Sequence, residues 1–233
     1  MLKSFIKKAS ISMGLYKPIS YLNDLRWGGL YSKRILADTE FYRSLLPANS
    51  LVFDIGANVG NKTEALSKAG HRVIAVEPQP DCAREIAARC DVEIVRAAVG
   101  AQEGNLELHV SNVYHTMASA SRTWTDSTSS IRVPLVTLDS LIERYGVPYY
   151  IKIDVEGYEY EVLKGLSHSI PLISFEFHST ELEKARKCLS LLTGRFAFTP
   201  PESNEITEWM NPDSDFPDYV YGDVWVKSTP DLE

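Results

Sequence analysis

The most constraining feature of this sequence is a turn rich in small residues that directly follows a short apolar run. LVFDI (residues 51–55) has the composition of a buried strand, and NKTEALSKAG (residues 61–70) is typical of a helix. Gly56, Asn58 and Gly60 lie between them. Glycine lets the backbone turn sharply and lets a ligand approach the main chain closely. The segment therefore predicts a nucleotide-type cofactor site in an α/β fold.

The turn departs from the pattern that binds pyrophosphates. Where the dinucleotide fingerprint G-x-G-x-x-G has its second and third glycines, this chain has Asn58 and Asn61. Asp54, two residues before the first glycine, suits a cationic cofactor and repels a pyrophosphate. An NAD(P)-dependent oxidoreductase is therefore a disfavoured alternative. A non-catalytic cofactor-binding or interaction domain is another, although the cofactor turn and the strand ends look intact.

A second motif, RVIAVEP (residues 72–78), supports the cofactor site. Its apolar run predicts a strand that ends at Glu77, and Pro78 then turns the chain away. An acidic residue at the end of the second strand is the position from which a carboxylate accepts both hydroxyls of a ribose. Coupled to the glycine turn, Glu77 is a strong candidate for cofactor binding.

The rest of the chain repeats the alternation of strands and helices. Further strands are predicted at residues 92–99, 149–155, 172–177 and 219–228, and further helices at residues 80–90, 158–166 and 181–192. Residues 104–137 interrupt this rhythm as an insertion with two strand-like runs around a Ser/Thr-rich loop. The alternation predicts an α/β fold with a doubly wound, mostly parallel sheet. We expect an N-terminal helical extension at residues 1–48 and the main domain at residues 49–233.

These ordered motifs resemble the FkbM-type family of class I methyltransferases. The resemblance runs from about residue 51 to residue 177 through VFDIGANVGNKT, VIAVEPQP, AAVG, VTLDSL, IKIDVEGYEYEVLKG and ISFEFH. It implies a seven-stranded, Rossmann-like sheet, S-adenosylmethionine as methyl donor, and O-methylation of sugars or natural products. Carried over by position, it implies a methionine side lined by Asp54, Gly56, Asn58 and Gly60, a ribose held by Glu77, and an adenine near Arg96 to Ala98, with Ala97 at its centre. Asn61, Pro78 and Asp154 border these positions and are further cofactor-binding candidates.

Polar side chains at the ends of two later strands are candidates for catalysis. Asp154 and Glu156 follow one strand, and Glu176 and His178 end the next, so all four are expected at the same edge of the sheet. Transfer to an alcohol benefits from a positioned base. We hypothesise that Asp154 or His178 accepts the acceptor's proton while Glu156 orients the acceptor. Lys152, in an apolar strand, needs one of these acids as its partner.

Each of these candidates also has a plainer interpretation. Asp154 and Glu156 could serve only to cap the following helix, and His178 could be a hydrogen-bonded structural residue. Alternatively, a divalent metal could be held by Asp154, Glu156 and Glu176. Our main expectation is that the site holds no metal. In the Ser/Thr-rich insertion, the polar residues Asn112, Tyr114 and His115 are candidates for a lid over the acceptor, or an ordinary exposed loop.

Composition and charge limit the kinds of binding partner and the cellular setting that we expect for this protein. The net charge of −7 gives no basic patch for nucleic acid, so a small-molecule or carbohydrate acceptor is expected. The three cysteines have neither C-x-x-C spacing nor an even count, which favours a reducing cytosol over a disulfide framework. Lysines interrupt the apolar N-terminal stretch, so a helix that packs on the main domain is favoured over membrane association, and no stable membrane insertion is expected. A homodimer is possible on base rates alone.

Overall fold

A computed structural model describes residues 11, 24, 29–110, 118–119, 129–200, 203–211, 214, 216 and 221–228. In chain order the described elements are α1 (Leu30–Leu45), β1 (Leu51–Ile55), α2 (Asn61–Lys68), β2 (Arg72–Val76), α3 (Pro80–Arg89), β3 (Glu93–Val95), β4 (Ala98–Val99), β5 (Gly104–Val110), β6 (Ala118–Ser119), β7 (Ser129–Val136), α4 (Leu138–Tyr145), β8 (Tyr150–Ile153), α5 (Glu159–Lys164), β9 (Leu172–His178), a 3-10 helix (Ser179–Glu181), α6 (Leu182–Ser190), β10 (Arg195–Thr199) and β11 (Tyr221–Lys227).

Seven strands form the main sheet, in the order β10-β11-β9-β8-β1-β2-β3. β1 pairs in parallel with β2 and β8, and the parallel pairing continues to β3 on one side and β9 on the other. β11 lies between β9 and β10 and is antiparallel to both. The predicted mostly parallel, seven-stranded sheet is confirmed. Because the parallel strands run in one direction, the carboxyl ends of β1, β2, β8 and β9 meet along one edge.

Helices cover both faces of this sheet, as the doubly wound class requires. In β2, Val73 and Ala75 contribute to the clusters on the α1–α3 side, whereas Ile74 and Val76 join the large cluster that includes residues of α4–α6. Successive side chains of a strand point to opposite faces, so a strand buried on both sides is apolar throughout. This explains why the parallel strands appear in the sequence as short continuous apolar runs.

Helix α1 belongs to the predicted N-terminal extension and packs on the sheet. The ring of Tyr42 lies 6.0 Å from that of Tyr150 in β8, and Phe41 lies 5.8 Å from Trp225 in β11. Lys62 of α2 forms an ion pair of 3.0 Å with the buried Asp38 of α1. The division between extension and main domain near residue 48 stays a prediction. None of the helices in the described ranges is both long and apolar enough to cross a bilayer.

A smaller sheet, in the order β4-β7-β5-β6, accounts for the interruption seen in the sequence. β5 and β7 pair antiparallel, with Leu108 opposite Ile131, and β4 pairs in parallel with β7. The run at residues 92–99, predicted as one strand, is in fact divided between β3 of the main sheet and β4 of the smaller one. The lid candidates Asn112, Tyr114 and His115 lie outside the described residues.

Apart from the two-residue strand β6, two elements had no counterpart among the sequence predictions. Helix α4 follows β7 directly, and Thr137 begins it with a reciprocal capping box shared with Ser140. Strand β10 is nearly all buried and pairs with β11 at the edge of the sheet. Both are short, at 8 and 5 residues, so their periodicity covers too few positions to be distinguished from loop sequence.

Candidate active site

A cleft opens at the carboxyl edge of the main sheet, beside the smaller sheet. It encloses about 670 Å³ of empty space, part of it open to solvent. Main-chain turns, carboxylates and aliphatic side chains together line it: Ile55, Gly56, Asn58, Val76, Glu77, Pro78, Gln79, Ala97, Ala98, Val99, Leu106, Leu108, Asp154, Val155, Glu156 and Tyr158. Six of the nine predicted cofactor-binding residues are in this set.

The turn after β1 has a left-handed backbone, which its glycines allow. Gly56, Asn58 and Gly60 have φ angles of 75°, 53° and 85°, in the left-handed region. A Cβ atom on Gly56 would lie 1.8 Å from the carbonyl oxygen of Asp154, so only glycine fits there. The turn after β1 therefore packs directly against the backbone of the segment that carries the candidate base.

Glu77 is the most buried acid of the cleft, with 3% of its surface exposed. Its Oε2 accepts a hydrogen bond of 2.8 Å from the N–H of Asn58, and its Oε1 accepts one of 2.8 Å from the N–H of Gln79. Burial raises the pKa of the Glu77 carboxyl to about 7, although the two backbone N–H groups oppose the shift. A carboxylate has about four acceptor positions, so two remain for a ligand in the cleft.

Lys152 connects two carboxylates beneath the cleft. Its Nζ lies 3.4 Å from Oδ1 of Asp54 and 3.1 Å from Oδ2 of Asp154. Burial opposes the charge on Lys152, but the carboxylates of Asp154 and Asp54 outweigh it and raise the pKa of the ammonium group. The lysine thus has the acidic partner that its apolar strand requires.

Asp54, Gly60 and Asn61 lie outside the lining of the cleft. Asp54 is fully buried and accepts a hydrogen bond of 2.6 Å from Thr63 Oγ1, in addition to its ion pair with Lys152. Gly60 begins α2. The Oδ1 of Asn61 accepts a hydrogen bond of 2.8 Å from Arg89 of α3. These contacts join the turn to its neighbouring elements, because the side chains of Asp54 and Asn61 are engaged by the protein and Gly60 has no side chain to direct into the cleft.

Asp154 and Glu156 follow β8 and line the cleft, and 40% of the Asp154 side chain is exposed. Glu156 has a φ of 55°, which is uncommon for a residue other than glycine, asparagine or aspartate. The N-cap residue of α5 is Tyr158, whose side chain makes no cap hydrogen bond, and Oε1 of Glu159 accepts hydrogen bonds of 3.3 Å and 3.0 Å from the N–H groups of Val155 and Gly157. The roles of Asp154 and Glu156, in catalysis or in capping α5, stay predictions.

Glu176 and His178 end β9, next to this segment but outside the cleft lining. His178 Nε2 lies 3.6 Å from Glu176 Oε2. Burial raises the pKa of the Glu176 carboxyl to about 8, and the nearby carboxylates of Asp154 and Glu156 add to the shift. Asp223 of β11, which the sequence did not suggest as a site residue, is the register partner of Glu176.

Aliphatic residues that sequence reasoning missed form the far wall of the cleft. Leu106 and Leu108 of β5 line it together with Ala97 and Tyr158. The alternation in LELHV does place both leucines on one face of a strand. What that face covers depends on how the smaller sheet packs, which the alternation does not reveal.

The geometry gives no support to a metal site. Within the described ranges, no group of three or more His, Cys, Asp or Glu side chains is arranged to hold a metal ion. Asp154, one of the three proposed ligands, already pairs with the ammonium group of Lys152. A cation held by the protein itself competes with an ion at that carboxylate.

Comparisons with known proteins show which family and which relative this chain resembles. The methyltransferase FkbM domain family matches residues 54–220. The hexuronic acid methyltransferase AglP of Haloferax volcanii is 28% identical over 180 residues, which cover 72% of this chain and 69% of that protein.

Solved structures of methyltransferases are similar at lower identity. A TehB-like SAM-dependent methyltransferase from Corynebacterium glutamicum has a TM-score of 0.48 at 11% identity and covers 91% of this chain and 100% of that one. A precorrin-6y C5,15-methyltransferase from Geobacter metallireducens has a TM-score of 0.45 at 13% identity, with 84% and 87% covered. The family match, which spans well over half of the sequence, decides the class: the chain belongs to the methyltransferase FkbM domain family and is an S-adenosylmethionine-dependent methyltransferase.

Proposed function

We propose that this enzyme methylates a hydroxyl oxygen of a sugar, a glycan or a small natural product, with S-adenosylmethionine held in the cleft. The observation that carries the proposal is the position of Asp154. Its partly exposed carboxylate lines the same cleft as Gly56 and Glu77, and Lys152 holds it there at 3.1 Å. A base is therefore present directly beside the cofactor site, where deprotonation of an alcohol is needed.

The residues of the cleft fit this cofactor. Glu77 has two acceptor positions left, which match the two hydroxyls of a ribose. The aliphatic wall of Ala97, Leu106 and Leu108 suits the faces of an adenine ring. The turn of Gly56 and Asn58 leaves main chain close to the cleft for the methionine part. Asp54, Gly60 and Asn61 support the cofactor indirectly, by holding that turn in place.

The chemistry divides between cofactor and protein. S-adenosylmethionine supplies an electrophilic methyl group, to which the acceptor oxygen adds an electron pair as the sulfur–carbon bond breaks and leaves its pair on sulfur. The protein's part is to orient the hydroxyl and to remove its proton. We assign the removal to Asp154 rather than to His178, because Asp154 lines the cleft and His178 does not. Glu156, which lines it as well, accepts a hydrogen bond from the acceptor.

A polyhydroxylated acceptor fits the polar groups around Asp154, both in the cleft and directly beside it. Asp154, Glu156 and Glu176 offer several carboxylate oxygens, each able to accept a hydrogen bond from a hydroxyl group. The named relative is a hexuronic acid methyltransferase, so at least one similar protein acts on a sugar acid. Both observations support a carbohydrate acceptor.

A turnover assay tests the proposal. The purified enzyme is incubated with S-adenosylmethionine and a panel of neutral sugars, uronic acids and small alcohols, and release of S-adenosylhomocysteine is measured. With an accepted substrate, Asp154→Asn is expected to lower kcat by about 10²- to 10⁴-fold while S-adenosylhomocysteine still binds. Asp91→Asn, at an exposed position after α3, is the matched control and is expected to keep wild-type turnover.

Two outcomes would contradict it. Full turnover by Asp154→Asn would remove the assigned base, and methylation found only at nitrogen or carbon would remove the hydroxyl acceptor. A parallel assay with a chelator decides the divalent-metal alternative, because a metal-dependent reaction stops once the ion is removed.

We also propose the organisation and setting of the chain. Residues 49–233 form the methyltransferase domain, and residues 1–48 form an extension whose helix α1 packs on it. All three cysteines are buried thiols, which is consistent with a reducing cytoplasm. Whether the enzyme forms a homodimer stays a prediction, for which size-exclusion chromatography with light scattering is the direct measurement.

A further inference from the structure

Glu176 and Asp223 face each other across two neighbouring strands. They are register partners in the antiparallel pairing of β9 with β11, near the carboxyl edge of the sheet. Directly opposite residues lie on the same face with Cβ atoms about 4.5–5.5 Å apart, and like charges in such pairs repel. Two carboxyl groups this close therefore favour a state in which they hold one proton between them.

The charges around the pair strengthen this preference. Asp154, Glu156 and Glu159, from the segment after β8, all raise the pKa of Glu176, after the larger effect of burial. The pKa of Asp223 is raised by burial and by Asp154. His178 lies 3.6 Å from Glu176 on the same strand.

Two lysines oppose the shift at Asp223, and both already have acidic partners. Lys62 pairs with Asp38 at 3.0 Å, and Lys152 pairs with Asp54 and Asp154. Among the described residues around this pair, the carboxylates therefore outnumber the cations. Such a site is suited to receive a positive charge from a ligand.

We propose that Glu176 and Asp223 form a carboxyl pair whose proton follows the charge of the cofactor. The pair releases its shared proton when the cationic methyl donor binds, and it takes up the acceptor's proton when that positive charge disappears on methyl transfer. The inference rests on the proposed function, since it requires the cofactor in the cleft that Asp154 lines.

The step balances without a further reactant. The O–H bond of the acceptor breaks and Asp154 receives the proton, while an oxygen electron pair forms the bond to the methyl carbon and the sulfur–carbon bond of the donor breaks with its pair left on sulfur. Asp154 passes that proton to the ionised pair and is ready for the next turnover. The crevice thus loses one positive charge from the ligand and keeps one proton in its place. The proton leaves to solvent when the next molecule of methyl donor binds.

Proton linkage in calorimetry tests this without any acceptor. Binding of S-adenosylmethionine and of S-adenosylhomocysteine is measured near pH 8 in two buffers of different ionisation enthalpy, which gives the protons released by each ligand. S-adenosylmethionine is expected to release more, because only it carries the sulfonium charge. Glu176→Gln and Asp223→Asn are each expected to abolish the difference.

Glu77→Gln is the matched control. Glu77 contacts a part of the cofactor that both ligands share, so this change is expected to alter proton release equally for both and to preserve their difference. Equal release by the two ligands in the wild type, or a difference that survives in both pair variants, would overturn the inference alone. Failure of both ligands to bind would instead contradict the proposed cofactor site. Melting curves of each variant check that it is folded.

Discussion

The cleft and the acidic residues beside it differ in how they are built, and we propose them as the cofactor end and the acceptor end of one site. At the cofactor end, a turn, Glu77 and an aliphatic wall form a site in which the single buried carboxylate has two backbone donors. At the end that we propose for the acceptor, Asp154 follows β8, Glu176 lies in β9 and Asp223 lies in β11, and Lys152 is shared between the carboxylates of Asp54 and Asp154. The first end is suited to bind a ligand through its shape and its main-chain groups. The second end brings several carboxyl groups close together, which shifts their pKa values. Shifted pKa values are typical of sites where protons are transferred.

This difference separates positioning from chemistry. A cofactor that must bind in one pose benefits from rigid, fully bonded surroundings. A group that must exchange protons near neutral pH needs a pKa shifted toward that range, and burial among like charges provides the shift. The following predictions test whether the two ends differ in the way described, beginning with the largest expected effect.

The largest effect is expected where the two ends touch. Gly56→Ala places a Cβ atom 1.8 Å from the carbonyl oxygen of Asp154 at a φ of 75°, so both a clash and backbone strain result. We expect the free energy of unfolding to fall by about 4 kcal/mol in urea denaturation. Gly70→Ala is the control, because Gly70 also has a positive φ but no atom within 4 Å of the added Cβ. It is expected to cost about 1 kcal/mol; equal losses would contradict the close packing.

The buried ion pairs of Lys152 are expected to be the next most sensitive. Lys152→Met leaves Asp54 and Asp154 without their cation, and removal of one partner from a buried pair costs about 3 kcal/mol or more. Lys164→Met is the control, because Lys164 has the same 3.1 Å distance to Glu161 but lies on the surface. Its unfolding free energy is expected to change by less than about 0.5 kcal/mol. A similar change in both variants would mean that burial of the charge makes no difference.

Cofactor affinity is expected to depend on the charge of Glu77. Hydrogen bonds to a charged group are stronger than those to an amide by about 1–2 kcal/mol, so Glu77→Gln is expected to weaken S-adenosylhomocysteine binding about 10-fold at pH 8. Because burial raises the pKa of Glu77 to about 7, wild-type affinity is expected to fall as pH drops through that value. The variant is expected to show no such dependence.

Calorimetric titrations at pH 6 and pH 8 measure both effects. Glu143→Gln, on the exposed side of α4, controls for loss of one negative charge and is expected to bind as the wild type does. Equal affinity of Glu77→Gln and the wild type at pH 8 would remove Glu77 from the ribose site.

The smallest effect is expected on stability at alkaline pH. Since the pKa of Glu176 is raised to about 8, the folded state binds this proton more tightly than the unfolded state. That contribution is complete below the ordinary carboxyl pKa of 4.5 and is lost as pH rises through 8. Glu176→Gln is therefore expected to be less sensitive to pH between 7 and 9, by roughly 1 kcal/mol in unfolding free energy. Glu143→Gln is expected to follow the wild type; an identical pH profile for Glu176→Gln would contradict the shifted pKa.

The contrast between the two ends also explains which residues sequence reasoning found. Gly56, Asn58 and Glu77 belong to two adjacent strand–turn segments, so their types and spacing alone predicted a cofactor site. Asp223 sits at the other end of the chain, in a strand that runs antiparallel to its neighbours. No local pattern links it to Glu176, because only the sheet register makes them partners.

The aliphatic wall and the break between β3 and β4 were not predicted, for related reasons. Leu106 and Leu108 alternate as in any half-buried strand, and the pattern does not say which surface they cover. The run at residues 92–99 was predicted as one strand because its apolar residues are nearly continuous. The chain instead leaves the main sheet after Val95 and begins pairing with β7 at Ala98, which depends on a strand more than 30 residues later.

The amino-acid sequence by itself determined the doubly wound class, the glycine turn and the acidic residues at the strand ends, because helix and strand periodicity, turn chemistry and strand direction are local properties. Tertiary structure alone decided which acids face each other across neighbouring strands, which lysine pairs with which carboxylate, and which leucines line the cleft. Distances between residues far apart in the chain set burial and Coulomb energy, and neither exists until the sheet has formed.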